Sequence, residues 1–147
     1  MTSTGIKTVL TDYGVPTDVM SSFEDENFRL PQLDWIRDTF IPNWIETLRV
    51  LDITYVPERS DCDDFANFCA AYARILNARS TTVKASIAWG FYALTLPDGG
   101  RHAINVIFTT EDQYTPIPLL FEPQPPCNIW TPRKFSSEWQ SCLRYRF

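Results

Sequence analysis

The sequence predicts an α+β fold in which a helix bearing a cysteine packs on an antiparallel sheet bearing a histidine and a glutamate. Three observations carry this. A strong helical period runs through residues 61–77, the period changes to β-type alternation from Thr81 onward, and Pro97-Asp98-Gly99-Gly100 is a strong turn between two β-rich runs. Helix first and strands after is the pattern of an α+β architecture.

Residues 1–30 are polar apart from a weakly apolar stretch at Thr8–Leu10, and are expected to wrap the surface. In residues 31–51, Leu33, Ile36, Phe40, Trp44 and Leu48 fall near helical spacing, and Pro42 interrupts them, so two short helices or one kinked helix are expected. Ile53–Val56 is too short to class. The segment Asp61–Asn77 opens on the capping types Ser60 and Asp61, places Asp63 and Asp64 in the first turn, and carries Phe65, Cys69, Tyr72 and Leu76 as a stripe. The sheet is expected to contain residues 83–96, 102–109 and 117–122, with a polar tip around Thr110–Tyr114. Pro123–Pro126 leaves the sheet, and the tail to Phe147 adds a final strand.

At 147 residues and 17.0 kDa, with 44% apolar residues, residues 1–147 are read as one domain able to bury a core without disulfides. The net charge is −5 and no basic stripe is visible, so neither nucleic acid nor an anionic membrane surface is an expected partner. No apolar run approaches the ~20 residues of a membrane span, and no secretory signal is evident, which places the chain in a reducing cytoplasm. The spacing of Cys62, Cys69, Cys127 and Cys142 matches no zinc pattern. Cys62 and Cys69 on one helix lie ~10 Å apart, too far for a bridge. Cys127 with Cys142 could pair, but buried thiols are the expectation in a reducing compartment.

Chemistry concentrates at three positions. Cys62 sits at the start of the helix, where backbone amides and the helix dipole favour a thiolate. The chain's one histidine, His102, gains weight from Glu122: if the two are cross-strand partners, their position numbers sum to 224 and centre the loop on Asp112, in the middle of the polar tip. Their Cβ atoms would then be ~4.5–5.5 Å apart on one face. A carboxylate so placed fixes the imidazole tautomer and stabilises its cation. Cys62 is thus the candidate nucleophile, His102 the base and Glu122 its orienting group.

The blocks SDCDDFANF, RHAINVIF and FEPQ, in that order, resemble the papain-like protease domain of a fungal lectin from Marasmius oreades and its bacterial and phage relatives. The Cys–His–Glu order also resembles the wider transglutaminase-like superfamily. The resemblance covers roughly residues 60–124. It implies a papain-like/transglutaminase-like core and a cysteine hydrolase or acyltransferase, a peptidase first of all, attacking an amide of a protein or peptide substrate through a thioester. Asn105 and Gln124 are motif residues to which it attaches no role. The fungal protein carries a sugar-binding β-trefoil ahead of this domain; nothing of that length stands here, so glycan targeting is not implied.

No cofactor is required by this chemistry, but the resemblance brings calcium with it. Asp61, Asp63 and Asp64 surround Cys62 and would oppose thiolate formation, and a divalent cation held by their oxygens would reverse that field. The competing reading is that Asp61 caps the helix and Asp63 and Asp64 serve its dipole. Trp44 and Trp89 are conceivable oxyanion donors, although the Cys62 backbone amide is better placed. The alternative to an enzyme is a non-enzymatic phage or bacterial protein-binding factor that keeps a pseudo-active site.

Overall fold

The computed structural model describes residues 1–16, 25–57, 60–80, 85–110, 115–134, 136–137 and 141–146. Helix α1 (Ser3–Tyr13) starts at Thr2, whose hydroxyl accepts from the Gly5 N–H at 3.1 Å, and stops at Gly14, where φ is +93°. Only a residue without Cβ enters that left-handed conformation freely. Ile6 and Leu10, one turn apart, are fully buried. The expectation that residues 1–30 wrap the surface is therefore corrected: Ile6, Leu10, Val15 and Phe28 of this polar stretch are core.

A short strand β1 (Phe28–Arg29) leads to α2 (Leu33–Trp35), a π-helical stretch Ile36–Phe40 and α3 (Ile41–Val50). Pro42 occupies the first turn of α3, where a missing N–H costs nothing, and the π-helical turn before it takes up the irregularity. One interrupted helix thus presents Ile36, Phe40, Trp44 and Leu48 to the core. Helix α4 (Cys62–Ser80) follows, then β2 (Ser86–Ile87), β3 (Trp89–Thr95), β4 (Arg101–Thr110), β5 (Pro116–Phe121), β6 (Ile129–Trp130) and β7 (Cys142–Arg146). The β3–β4 turn is closed by Gly99 at φ +85° and by the Gly100 N–H donating to Asp98 Oδ1 at 2.9 Å.

The main sheet has the order β6-β5-β4-β3-β7 and is antiparallel throughout. Its two faces bury separate clusters. Ile104, Val106, Phe108, Tyr92 and Leu120 pack under Ile6 and Leu10 of α1. Trp89, Ile107, Leu119 and Phe121 pack under the π-helical stretch, α3 and α4, through Phe40, Trp44, Phe65 and Cys69. Small residues at Ala66, Ala70 and Ala73 let α4 lie close to the strands. The α+β class, with a helix on an antiparallel sheet, is the one expected. No helix of the described residues is long and apolar enough to cross a membrane.

Candidate functional site

Cys62 is the first residue of α4. The Phe65 N–H donates to the Asp61 carbonyl at 3.1 Å, which makes Asp61 the cap residue, and the Asp64 carboxylate reaches back toward the Asp61 N–H at a long 3.4 Å. Asn105 of β4, fully buried, fixes the helix on the sheet: its Nδ2 donates to the Ala66 carbonyl of α4 at 2.9 Å and to the Gly90 carbonyl of β3 at 3.0 Å. This motif residue, to which the sequence attached no role, holds the Cys62 helix against the strands.

His102 lies near the start of β4, and Glu122 one residue beyond β5. Their Nε2 and Oε2 are 2.6 Å apart, with about a quarter of the His102 side chain and a fifth of the Glu122 side chain exposed. The cross-strand register is not the one expected. Asn105 pairs with Phe121, so the position numbers sum to 226 and Glu122 meets His102 diagonally. A shift of two positions preserves the face, where a shift of one would have separated the pair. The β4–β5 ladder ends at Asn105, so His102 stands on a stretch of β4 that β5 does not cover.

The second Glu122 oxygen, Oε1, accepts from the backbone N–H of Gln124 at 3.0 Å. Trp44 Nε1 donates to the Pro123 carbonyl at 2.7 Å and ties down the same turn. Burial and the Glu122 carboxylate push the nearby Cys127 thiol up to about 11. With Nε2 engaged by Glu122, Nδ1 is the His102 nitrogen left for a thiol. Trp44 is the positioning residue that the sequence could not reveal, because its partner is 79 positions away. Its N–H is spent on Pro123, and Trp89 is buried between Phe40 and Phe121, with ring centroids at 4.1 and 5.7 Å. Neither indole lines the cleft, which corrects both as oxyanion donors.

Cys62 and His102 share a cleft of about 600 Å³, with Asp63, Phe91, Ala93, Arg101 and Ala103 as its other walls. The Ala103 backbone N–H and the amide of Cys62 itself favour the thiolate, but desolvation outweighs them, and Asp61 and Asp63 add to it, so the Cys62 thiol is pushed up. The helix-start amide thus favours the thiolate and the carboxylates oppose it, as expected, while burial, which the sequence does not give, is the larger influence. Cys69 and Cys127 are buried free thiols, and the side chain of Cys142 lies outside the described residues.

Donor atoms of Asp61, Cys62 and Asp63 lie within 4.8 Å of one another. A hydrogen bond with Asp61, burial and the Asp61 charge all push the Asp63 carboxyl up, and Asp61 Oδ1 is buried without a hydrogen-bond partner. Asp64 is not in this group. Its side chain turns back to the helix start and lines a small cavity with Ile53, Ser60, Phe65 and Phe68. The expected three-carboxylate set is thus reduced to Asp61 and Asp63.

No protein-family model matches the chain, and no curated protein matches it. Solved structures do. The PSL1a–E64 complex is similar over the whole of this chain and 50% of its own, at 19% identity and a TM-score of 0.76. The lectin of Polyporus squamosus, bound to the human-type influenza-binding epitope Neu5Acα2-6Galβ1-4GlcNAc, is similar over the whole of this chain and 49% of its own, at 18% identity and a TM-score of 0.74. The chain spans about half the length of these structures, and at this identity the likeness is one of fold.

These neighbours correct what the resemblance implied. One is described as a lectin bound to a glycan, and neither is described as a papain-like protease. The identification with papain-like cysteine proteases is overturned with it, as are the amide-cleaving hydrolase or acyltransferase activity, the protein or peptide substrate, and the alternative of a protein-binding phage or bacterial factor. The physical reason is that short blocks around a cysteine, a histidine and a glutamate describe a local arrangement, and neither they nor a fold define the reaction.

Proposed function

We propose that residues 1–147 form one domain carrying a nucleophilic thiol site, in which Cys62 forms a covalent bond with an electrophilic carbon, His102 takes the thiol proton and Glu122 orients and stabilises the imidazolium. From the papain-like expectation this keeps only the arrangement of a Cys-bearing helix on a sheet bearing His and Glu. The 2.6 Å contact between His102 Nε2 and Glu122 Oε2 carries the reading, because it leaves Nδ1 as the base in a cleft that Cys62 also lines. In the bond-forming step the sulfur lone pair adds to the carbon of a polarised double bond, the S–H proton passes to Nδ1, the π pair moves onto the electronegative atom of that bond, and the Cys62 amide at the helix start supports the charge developing there. Free thiols at Cys62, Cys69 and Cys127 support a reducing compartment such as the cytoplasm.

The test is alkylation by iodoacetamide at pH 7, read by peptide mass spectrometry against N-acetylcysteinamide as a free thiol. A raised thiol without a base reacts more slowly than the free compound. Faster reaction at Cys62 therefore reports His102 and not mere accessibility. Reaction slower than the free thiol would sink the proposal.

The same reading gives Asp61 and Asp63 a role: they are two oxygen donors for a hard divalent cation such as calcium, which would lower the Cys62 thiol. The unpartnered Asp61 Oδ1 fits this; the sulfur, a soft donor, does not belong in the set. Removing one charge in Asp63→Asn is expected to speed Cys62 alkylation at pH 7 about threefold, since a carboxylate near the sulfur no longer opposes the thiolate. Calcium should speed the wild type and leave Asp63→Asn unchanged. No response to calcium in either protein would confine both carboxylates to the helix start.

Carbohydrate binding is a second reading, favoured by the glycan carried by the Polyporus squamosus lectin. Calorimetric titration with Neu5Acα2-6Galβ1-4GlcNAc tests it directly. Saturable heat would establish it, and its absence at millimolar sugar would retire it for this chain.

A further inference from the structure

On the sheet face that carries α4, three successive cross-strand rows of β3 and β4 are Trp89 with Ile107, Phe91 with Asn105, and Ala93 with Ala103. Residues two apart on a strand share a face, and directly opposed residues share it too. Side-chain bulk falls along these rows, from a buried tryptophan to a pair of alanines. Alanine is disfavoured in strands because it gives its cross-strand neighbours little to pack on. The alanine row lies beside the nucleophile. Asn105 bonds the Ala66 carbonyl; Cys62 is about one helical turn back from Ala66, and Ala103 is two strand residues back from Asn105. Both steps cover about 6–7 Å. The Ala103 N–H accordingly faces the Cys62 sulfur.

Helix α4 does not fill the space that these alanines leave. The cleft of about 600 Å³ stands there, with Ala93 and Ala103 as its floor and the half-buried Phe91 ring as the wall toward the core. Among the described residues its charged walls are Asp63 and Arg101, both exposed and of opposite sign, while Asp61 belongs to the helix start and is not one of its walls. The surface next to the sulfur is therefore apolar. We infer that the electrophile met by Cys62 carries an apolar, ring-sized group that lies on Ala93 and Ala103 against Phe91. This rests on the reading of Cys62 as a nucleophile and adds the class of ligand. Each CH2 buried there favours binding about fourfold, and an aryl group gains further from the Phe91 ring. A larger residue at position 93 would take the place of that group, which makes Ala93 and Phe91 specificity-determining.

Three maleimides separate this inference from the reading beneath it: the N-(2-hydroxyethyl), N-propyl and N-benzyl compounds. All react alike. The sulfur adds to one alkene carbon, the π pair moves onto the conjugated carbonyl oxygen, and the proton taken from sulfur ends on the neighbouring carbon, with nothing released. The first two are matched in length and differ in polarity, and the third brings a ring. The ratio of two maleimide rates at Cys62, read by peptide mass spectrometry, cancels the thiolate fraction, and the same ratio for N-acetylcysteinamide removes intrinsic reactivity. At Cys62 the benzyl-to-hydroxyethyl ratio is expected to exceed that of the free thiol about tenfold, and the propyl-to-hydroxyethyl ratio about threefold. Ala93→Leu, which fills the floor, should bring the benzyl preference to within about twofold of the free thiol. Phe91→Ala, which removes the wall, should lower it about threefold and still reports if the leucine variant does not fold. A wild-type ratio at or below that of the free thiol, or one that neither substitution lowers, overturns the inference. So does a Cys62 that iodoacetamide labels and no maleimide reaches. Iodoacetamide reacting more slowly than with the free thiol overturns the nucleophile reading instead, and the maleimide ratio, measured on that slower thiol, still decides whether the apolar group is held.

Discussion

In the His102→Ala variant, Cys62 is expected to react with iodoacetamide at pH 7 about 10²-fold or more below the wild-type rate, since a positioned base contributes ~10²–10⁴. The size follows from the sign of the Cys62 shift. Desolvation, Asp61 and Asp63 together hold the thiol above its ordinary value, against the pull of the Ala103 and Cys62 amides. An acid pushed up is ionised only at higher pH, so without an imidazole the sulfur at neutral pH is almost wholly protonated. Nδ1 removes that obstacle by accepting the proton as the bond forms. The pH profile carries the same information. Labelling of His102→Ala should climb with pH until beyond the ordinary thiol range, while the wild type should already be fast near neutrality. Peptide-resolved rates over pH 6–10 measure both, with Cys62→Ala as the blank. Superimposable profiles would remove His102 from the site, and with it the reason for grouping the three residues.

Much of this site was legible because local signals and one parity argument sufficed. The α4 helix announces itself through Asp61 at its cap, acidic residues in its first turn and the stripe from Phe65 to Cys69. The His102–Glu122 contact followed from strand alternation. It survived a register error of two positions because the side-chain period of a strand is two. What was not legible depended on distant partners or on competing terms. Ile6 and Leu10 are too few to make an apolar stripe, and the Thr2 cap and Gly14 stop that bound α1 were not read as helix signals. The role of Trp44 requires knowing that Pro123 lies under it. Whether Cys62 is a thiol or a thiolate turns on burial, which sequence does not give and which outweighs the helix amides. Asp64 was grouped with Asp61 and Asp63 on adjacency alone, yet at the third helical position its side chain turns back to the cap. The reaction itself was over-read from short blocks.

Glu122→Gln is the second change with a large expected effect, because this carboxylate accepts from two donors at once. Oε2 meets His102 Nε2 at 2.6 Å, and Oε1 takes the Gln124 N–H at 3.0 Å, in a turn held by Trp44. A glutamine keeps one acceptor oxygen and turns an NH2 toward the other donor. If the oxygen stays with Gln124, the imidazole loses the partner that fixes its tautomer. If it turns to His102, a backbone N–H in a partly buried turn goes unpaired, at a cost of about 1–3 kcal/mol. In both arrangements the charge that stabilises an imidazolium is gone. The corresponding aspartate-to-asparagine change in a serine triad lowers turnover by ~10⁴, largely through the wrong tautomer, which bounds the loss from above. The thiol is a better acid than an alcohol and needs less help, so a fall of about 10–10³ in Cys62 alkylation is expected. Thermal melting separates the two arrangements, since only an unpaired Gln124 N–H lowers the midpoint. A Glu122→Gln protein that labels at the wild-type rate would leave His102 as an unassisted base and remove Glu122 from the site.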